Sequence, residues 1–248
     1  MNDHVILALA AFGAGVLNTI AGGGTFLTFP ALVYTGIPVV AANATSAVAV
    51  FPGYLGGASG FRHEISQFDR RRLLAIVALT AVGGLIGSIL LLMSSNKAFS
   101  FVVPFLLAMA TLAFAFGNRL QKWTQRLSGK RSDGLFGVVL VAIYGGYFNG
   151  GLGIVLLALF SLWGMRDLSL MNGLKNCVSF VLSAISVATF AAAGIVAWPQ
   201  AVLMMIAAAI GGYAGAPLAR VLPAAVVRLV VILTGTILSA VFFWRLLA

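Results

Sequence analysis

The sequence predicts an all-α polytopic membrane protein built from two inverted repeats, each a glycine-tipped re-entrant helical hairpin followed by three transmembrane helices. Three observations lead there. The 248 residues are 61% hydrophobic and only 8% charged, against roughly 25% charged in a soluble domain. Two glycine clusters, N-T-I-A-G-G-G-T from Asn18 to Thr25 and N-G-G-L-G-I from Asn149 to Ile154, interrupt strongly apolar stretches near the start of each half of the chain. The basic residues gather in short blocks between apolar segments, as cytoplasmic loops do.

Apolar runs bounded by polar, Gly or Pro residues define ten elements. The first, residues 4–21, has no basic segment ahead of it and reads as part of the mature chain rather than a cleaved signal. The second, 25–36, has about a dozen residues. At about 1.5 Å per residue it reaches only halfway across a bilayer, where a span needs about 20 residues. Elements 4–21 and 25–36 therefore form a hairpin that enters and leaves on one side, with the first glycine cluster at its tip. Residues 39–61, 70–93 and 98–117 are each long enough to cross. The polar stretch 118–133 is too short to fold alone and links the halves. Residues 134–149 and 154–164 repeat the hairpin, and 168–193, 199–219 and 224–246 repeat the three spans. The chain is thus one transmembrane domain, 1–248. Repeat 1 covers about 1–117, the cytoplasmic linker about 118–133 and repeat 2 about 134–248.

Three full spans per half is an odd number, so the second half is inverted relative to the first. Charge agrees. Arg62 and Arg70 to Arg72, then Arg119, Lys122, Arg126, Lys130 and Arg131, then Arg166, Arg220 and Arg228 all fall on one side, which is then cytoplasmic. Both termini are external. A competing topology counts each broken pair as one span, giving eight spans and parallel halves, and moves Arg166 and Arg220 outside. Broken helices at matching places in two halves point to a transport site. Gly53-x-x-x-Gly57, Gly83-x-x-x-Gly87 and Gly211-x-x-x-Gly215 read as close helix packing.

Composition excludes several functions. The net charge of +10 follows from topology and does not indicate nucleic acid. The lone cysteine, Cys177, allows no disulfide within the chain and reads as a packing residue. There is no H-E-x-x-H, no Cys–His pairing, and Ser59 in G-A-S-G lacks the spacing of a nucleophile elbow. The chain is read as a non-enzyme without cofactor or metal. Asp3, Glu64, Asp69, Asp133 and Asp167, with His4 and His63, all fall at segment ends. The usual relay of intramembrane carboxylates is missing.

The run G-A-G-V-L-N-T-I-A-G-G-G-T-F-L-T-F-P-A-L, Gly13 to Leu32, followed by G-I-P-V-V-A-A-N-A-T-S, Gly36 to Ser46, resembles the TauE/SafE sulfite exporter family, also called the four-toluene-sulfonate uptake permeases. Gly22, Gly23, Gly24, Pro30, Leu32, Ala42, Thr45 and Ser46 occupy the places of that family's glycine cluster, Pro-x-Leu and A-x-x-T-S segment. The second copy is G-G-Y-F-N-G-G-L-G-I, Gly145 to Ile154, in which Leu152 interrupts the glycine run. Lys175-Asn176 stands where the first copy has Thr45-Ser46. The resemblance implies a carrier of small sulfur-containing or organic anions such as sulfite, sulfoacetate and sulfonates, in a bacterial cytoplasmic membrane.

The residues suggest how an anion is held. Helix starts carry N–H groups without intrahelical partners, and the helix dipole adds positive potential there. Glycines leave the backbone bare for a ligand. Gly22, Gly23, Gly24 and Thr25, with Asn149, Gly150, Gly151 and Gly153, are the candidate backbone donors. Asn43, Thr45, Ser46, Asn172, Lys175 and Asn176 are candidate side-chain donors. Each of these also has a plain reading as an interhelical hydrogen bond. Lys175 is the one basic residue well inside a span, where a charge is functional by default unless it snorkels to the nearer face. Arg166, beside the second hairpin, would attract anions to the mouth. The expected function is a secondary carrier exporting sulfite or an organosulfonate. An anion channel and a proton-coupled uptake permease are the alternatives. Its partners are the small anion and the bilayer, with a homodimer as a candidate assembly.

Overall fold

The computed structural model describes residues 3–20, 23–127, 134–221 and 224–247. Gly22 and linker residues 128–133 lie outside them. The described residues form helices α1 (Asp3–Ile20), α2 (Thr25–Tyr34), α3 (Val39–Gly60), α4 (Arg62–Ser66), α5 (Arg70–Met93) and α6 (Asn96–Leu127). These are followed by α7 (Phe136–Tyr147), α8 (Leu152–Leu162), α9 (Leu168–Ala192), α10 (Trp198–Val221) and α11 (Ala224–Leu247). No strand occurs among them. The ten expected elements are present within a few residues, apart from two differences. A short helix, α4, occupies the loop after α3. Helix α6 runs ten residues beyond the expected end at 117, because residues 118–127 contain no Gly, Pro or β-branched run after Gly117-Asn118 that would stop it.

Helix starts are set by side-chain caps at two places. Asp69 accepts from the Arg72 amide at 2.8 Å. Asp167 accepts from Ser169 and Leu170 at 2.9 and 3.2 Å, so it satisfies two donors that the first turn of α9 leaves free. Asp167→Ala is expected to lower stability by about 0.5–2 kcal/mol. A thermal melt of the detergent-solubilised protein, read against the parent, checks this.

Both broken pairs fold back on themselves. Gly13 lies against Leu27 and Gly24 against Ala14 and Asn18, while Gly137 lies against Leu159 and Gly145 against Leu152. The helices of each pair therefore run antiparallel. The first helix of each half also packs on a long helix of the other half, α1 on α10 and α7 on α5. The two interfaces are built alike. A Cβ on Gly211 would strike the Phe12 carbonyl, and one on Gly15 would strike the Ala208 carbonyl. A Cβ on Gly87 would strike the Ile143 carbonyl, and one on Gly146 the Gly84 carbonyl. Backbones touch because no side chain intervenes, which is how helices associate where lipid supplies no hydrophobic drive. Gly53 differs: nothing lies within 4 Å of its would-be Cβ. The packing role expected for Gly53 is therefore corrected. It faces open space.

Helix α3 packs on α9, α3 also on α10, α5 on α9, α2 on α11 and α8 on α6. Exchanging the halves maps each of these contacts onto another of them or onto itself. Among the described residues, three helices are long and apolar enough to cross a membrane by length and composition: Val39–Gly60, Arg70–Met93 and Ser169–Ala192. Helix α5 exposes Leu74, Val82, Leu85, Ile86, Ile89, Leu90 and Met93, and α10 exposes Val202, Ile206 and Ile210. Apolar stripes of this extent suit lipid rather than water.

Candidate functional site

The two glycine tips meet at one cavity of about 570 Å³. Helix α1 contributes Gly15 and Asn18, and the first tip Gly23 and Thr25. The second tip contributes Asn149, Gly151, Leu152 and Gly153, and α9 contributes Asn172, Lys175, Asn176 and Ser179. Helix α3 lines it from Ala49 to Gly60, ending at Phe61, and α10 lines it from Ala208 to Tyr213. The cavity thus runs to the end of α3, next to Arg62, and to the first turns of α9, next to exposed Arg166.

The second tip is a left-handed turn. Asn149 has φ 61° and Gly151 φ 70°; asparagine and glycine are the residues that tolerate this region. The Tyr144 hydroxyl donates to the Gly150 carbonyl and holds the turn. The Leu152 amide reaches back to Asn149 O at 3.4 Å, and Ile154 to Gly151 O at 3.0 Å. The amides of Gly151 and Gly153 find no acceptor among the described residues. Lys175 crosses this turn: a Cβ on Gly153 would sit 3.3 Å from its Cδ. The Lys175 Nζ donates to Asn172 Oδ1 at 3.1 Å. Asp3, Glu64, Asp69 and Asp167 lie elsewhere, so no carboxylate among the described residues lines the cavity.

The first tip is different. Asn18 Oδ1 accepts from the amides of Gly23 and Gly24 at 3.0 and 2.8 Å. Its own side chain therefore fills the acceptor position that an anion would take. Asn18 and Asn149 each follow three residues after the glycine that packs on the other half, Gly15 and Gly146. Helix α2 then begins seven residues after Asn18, and α8 three residues after Asn149. The longer first tip can fold onto its asparagine and the shorter second tip cannot. Asn149 uses its amide differently. Its side chain neighbours the Tyr54 hydroxyl, and its Oδ1 has no partner.

Of the residues expected to bind, Gly23, Thr25, Asn149, Gly151, Gly153, Asn172, Lys175 and Asn176 line the cavity. Gly24, Asn43, Thr45, Ser46, Gly150 and Arg166 do not. Asn43 donates to the Tyr147 carbonyl at 2.9 Å. Thr45 accepts from the Ala197 amide at 3.1 Å, and Ser46 lies 2.6 Å from the Thr28 hydroxyl. All three are buried: Asn43 ties α3 to the end of α7, Thr45 ties it to the residue before α10, and Ser46 ties it to α2. Beside them Phe29 packs edge-on to Phe148 and Phe99, at 5.9 and 6.4 Å. Tyr54, Phe61, Ser179 and Tyr213 also line the cavity and were not expected there; Tyr54 and Tyr213 lie inside Gly53-x-x-x-Gly57 and Gly211-x-x-x-Gly215, which read only as packing motifs. Among the described residues, no cluster of three His, Cys, Asp or Glu forms a metal site.

The profile of the sulfite exporter TauE/SafE family matches residues 7–242. The chain belongs to that family. It is similar to a "Probable membrane transporter protein" of Haemophilus influenzae, 27% identical over 247 residues that cover 95% of this chain and 92% of that one. It is also 25% identical to "Probable membrane transporter protein ORF9" of a Sinorhizobium species, over 94% and 89% of the two chains. Similarity to "Probable membrane transporter protein YfcA" of Escherichia coli is 25%, over 95% and 87%. No solved structure matches. This TauE/SafE family member is an integral membrane transporter, and its apolar helices and lipid-suited stripes fit that assignment.

Proposed function

We propose that this chain is a secondary carrier that exports a small sulfur oxoanion, sulfite or an organosulfonate, across a bacterial cytoplasmic membrane. The anion sits at the second tip. One observation carries the reading: Gly151 and Gly153, whose amides find no acceptor among the described residues, line one cavity with Lys175 and Asn176, and no carboxylate among the described residues lines it. Amides at a helix start are a ready anion site, and the lysine supplies the full charge. Asn172 orients that lysine. Gly23 and Thr25 form the opposing wall, and Arg166 draws anions toward the mouth. Thr45, Ser46 and Asn43 belong to the closed layer behind the site.

The halves are read as inverted, with re-entrant hairpins, the basic loops inside and both termini outside. The charge of the loops supports this; the contact pattern that survives exchange of the halves supports a two-fold relation between them. The cavity would then face the cytoplasm. An anion leaving a cell that is negative inside moves downhill by about 2.3 kcal/mol per charge per 100 mV, so export needs no coupling ion.

Proteoliposomes loaded with sulfite test this. The expected result is saturable efflux with counterflow, driven by membrane potential and unchanged when a proton gradient is collapsed. Linear flux without counterflow means a pore. Dependence on the proton gradient means coupling, and no sulfite flux sinks the substrate assignment. A reporter fused to the C-terminus should be external; a cytoplasmic signal would restore parallel halves.

A further inference from the structure

We infer that Tyr54 is a further substrate-binding residue, whose hydroxyl donates a hydrogen bond to the anion from α3. The inference rests on the site proposed above and adds a donor from the first half to one built mainly by the second. Tyr54 lines the same cavity as Gly151, Gly153 and Lys175. The residues around it leave room: Gly53 has nothing within 4 Å of its would-be Cβ, and neither has Gly60.

Hydrogen-bond bookkeeping gives the direction. The Asn149 side chain is the polar neighbour of the Tyr54 hydroxyl, and Asn149 Oδ1 has no partner. The Tyr54 hydroxyl forms no hydrogen bond of its own among the described residues, so its proton is available to a ligand in the cavity that it lines. A phenol carries one O–H donor and keeps it at neutral pH. A neutral donor beside a lysine adds to an oxoanion's coordination without adding a second charge to desolvate. Asn149, the polar neighbour of that hydroxyl, would line the same side of the ligand. Lys175 binds the anion's charge; Tyr54 selects for an oxygen acceptor.

Titration of sulfite into the purified full chain tests this. Tyr54→Phe keeps the ring and removes only the hydroxyl. Sulfite affinity should fall roughly tenfold, as expected for a lost hydrogen bond to a charged group. Tyr54→His, whose ring N–H can donate, should recover part of that loss. The melting temperature without ligand should be unchanged in Tyr54→Phe, whereas the sulfite-induced rise in melting temperature should shrink. A lower melting temperature without ligand together with unaltered sulfite affinity would make Tyr54 a structural tie and overturn the inference. Lys175→Met separates the two levels. If it weakens sulfite and Tyr54→Phe does not, only Tyr54 falls. If the parent and Lys175→Met behave alike, the site itself is wrong and Tyr54 falls with it.

Discussion

Replacing Lys175 with methionine is expected to weaken sulfite binding by roughly ten- to a hundredfold, the range for a lost hydrogen bond to a charged group. Methionine keeps an unbranched stem against Gly153, where the lysine Cδ packs, and removes the charge. In the parent that charge meets the Asn172 oxygen but no carboxylate lining the cavity. A buried cation without a counterion is costly, and a bound anion relieves the cost. Two effects of opposite sign follow. The methionine variant should bind sulfite more weakly, and without ligand it should melt at a higher temperature than the parent. Lys175→Arg should keep part of the affinity with altered selectivity, because a planar fork replaces a point charge. Calorimetric titration and a thermal melt read the two effects separately. An unchanged dissociation constant for the methionine variant would place the anion away from the second tip.

Valine at Gly87 or Gly211 should prevent the protein from assembling. At Gly87 a Cβ would strike the Ile143 carbonyl and stand 2.9 Å from the Tyr147 nitrogen and 3.0 Å from the Gly146 Cα. At Gly211 it would strike the Phe12 carbonyl and stand 2.8 Å from the Phe12 carbonyl carbon. These obstacles are backbone, so no rotamer change relieves them and whole helices must separate. Overpacking of side chains costs about 1–3 kcal/mol. Separating two backbones in lipid also forfeits the van der Waals contact that holds them, so the loss should be larger. Gly84→Ala is the control on the same helix, since its Cβ would reach Leu182 at an ordinary 3.5 Å. Size-exclusion elution after detergent extraction should show a monodisperse peak for Gly84→Ala and none for Gly87→Val or Gly211→Val. The two valine variants should fail alike, because the two interfaces are built alike.

Much of the fold was legible because the apolar runs are cleanly punctuated. Gly and Pro mark helix ends, and Asp69 and Asp167 stand at the N-caps that the runs imply. Helix α6 outruns its apolar stretch because nothing between Gln121 and Leu127 breaks a helix, although those residues are largely polar. The cavity lining was legible at the glycine tips and at Lys175, which apolar surroundings make conspicuous. It was not legible at Thr45 and Ser46. A buried hydroxyl that binds a ligand and one that ties two helices have the same sequence signature, and only the partners Ala197 and Thr28 distinguish them. The register that relates the tips, Gly15-x-x-Asn18 against Gly146-x-x-Asn149, rests on two residues per copy and does not stand out beside the glycine clusters, so the sequence does not show why one tip caps itself and the other stays bare. Tyr54 carried no signal, because its polar neighbour lies about 95 residues away in the sequence.

The crossing of α1 with α10 has a consequence for how the protein is made. Phe12 meets Gly211, about 200 residues later in the chain. At roughly 5–20 residues per second of synthesis, the first hairpin waits about 10–40 s in the bilayer before its partner exists. During that time its glycine face has only lipid, or a membrane insertase, to lie against. Helix α7 has no such delay, because α5 is already inserted when it emerges. Assembly is therefore ordered from the middle of the chain outward. The second tip, with its bare amides, is positioned first, and the arrival of α10 closes the first hairpin against it last.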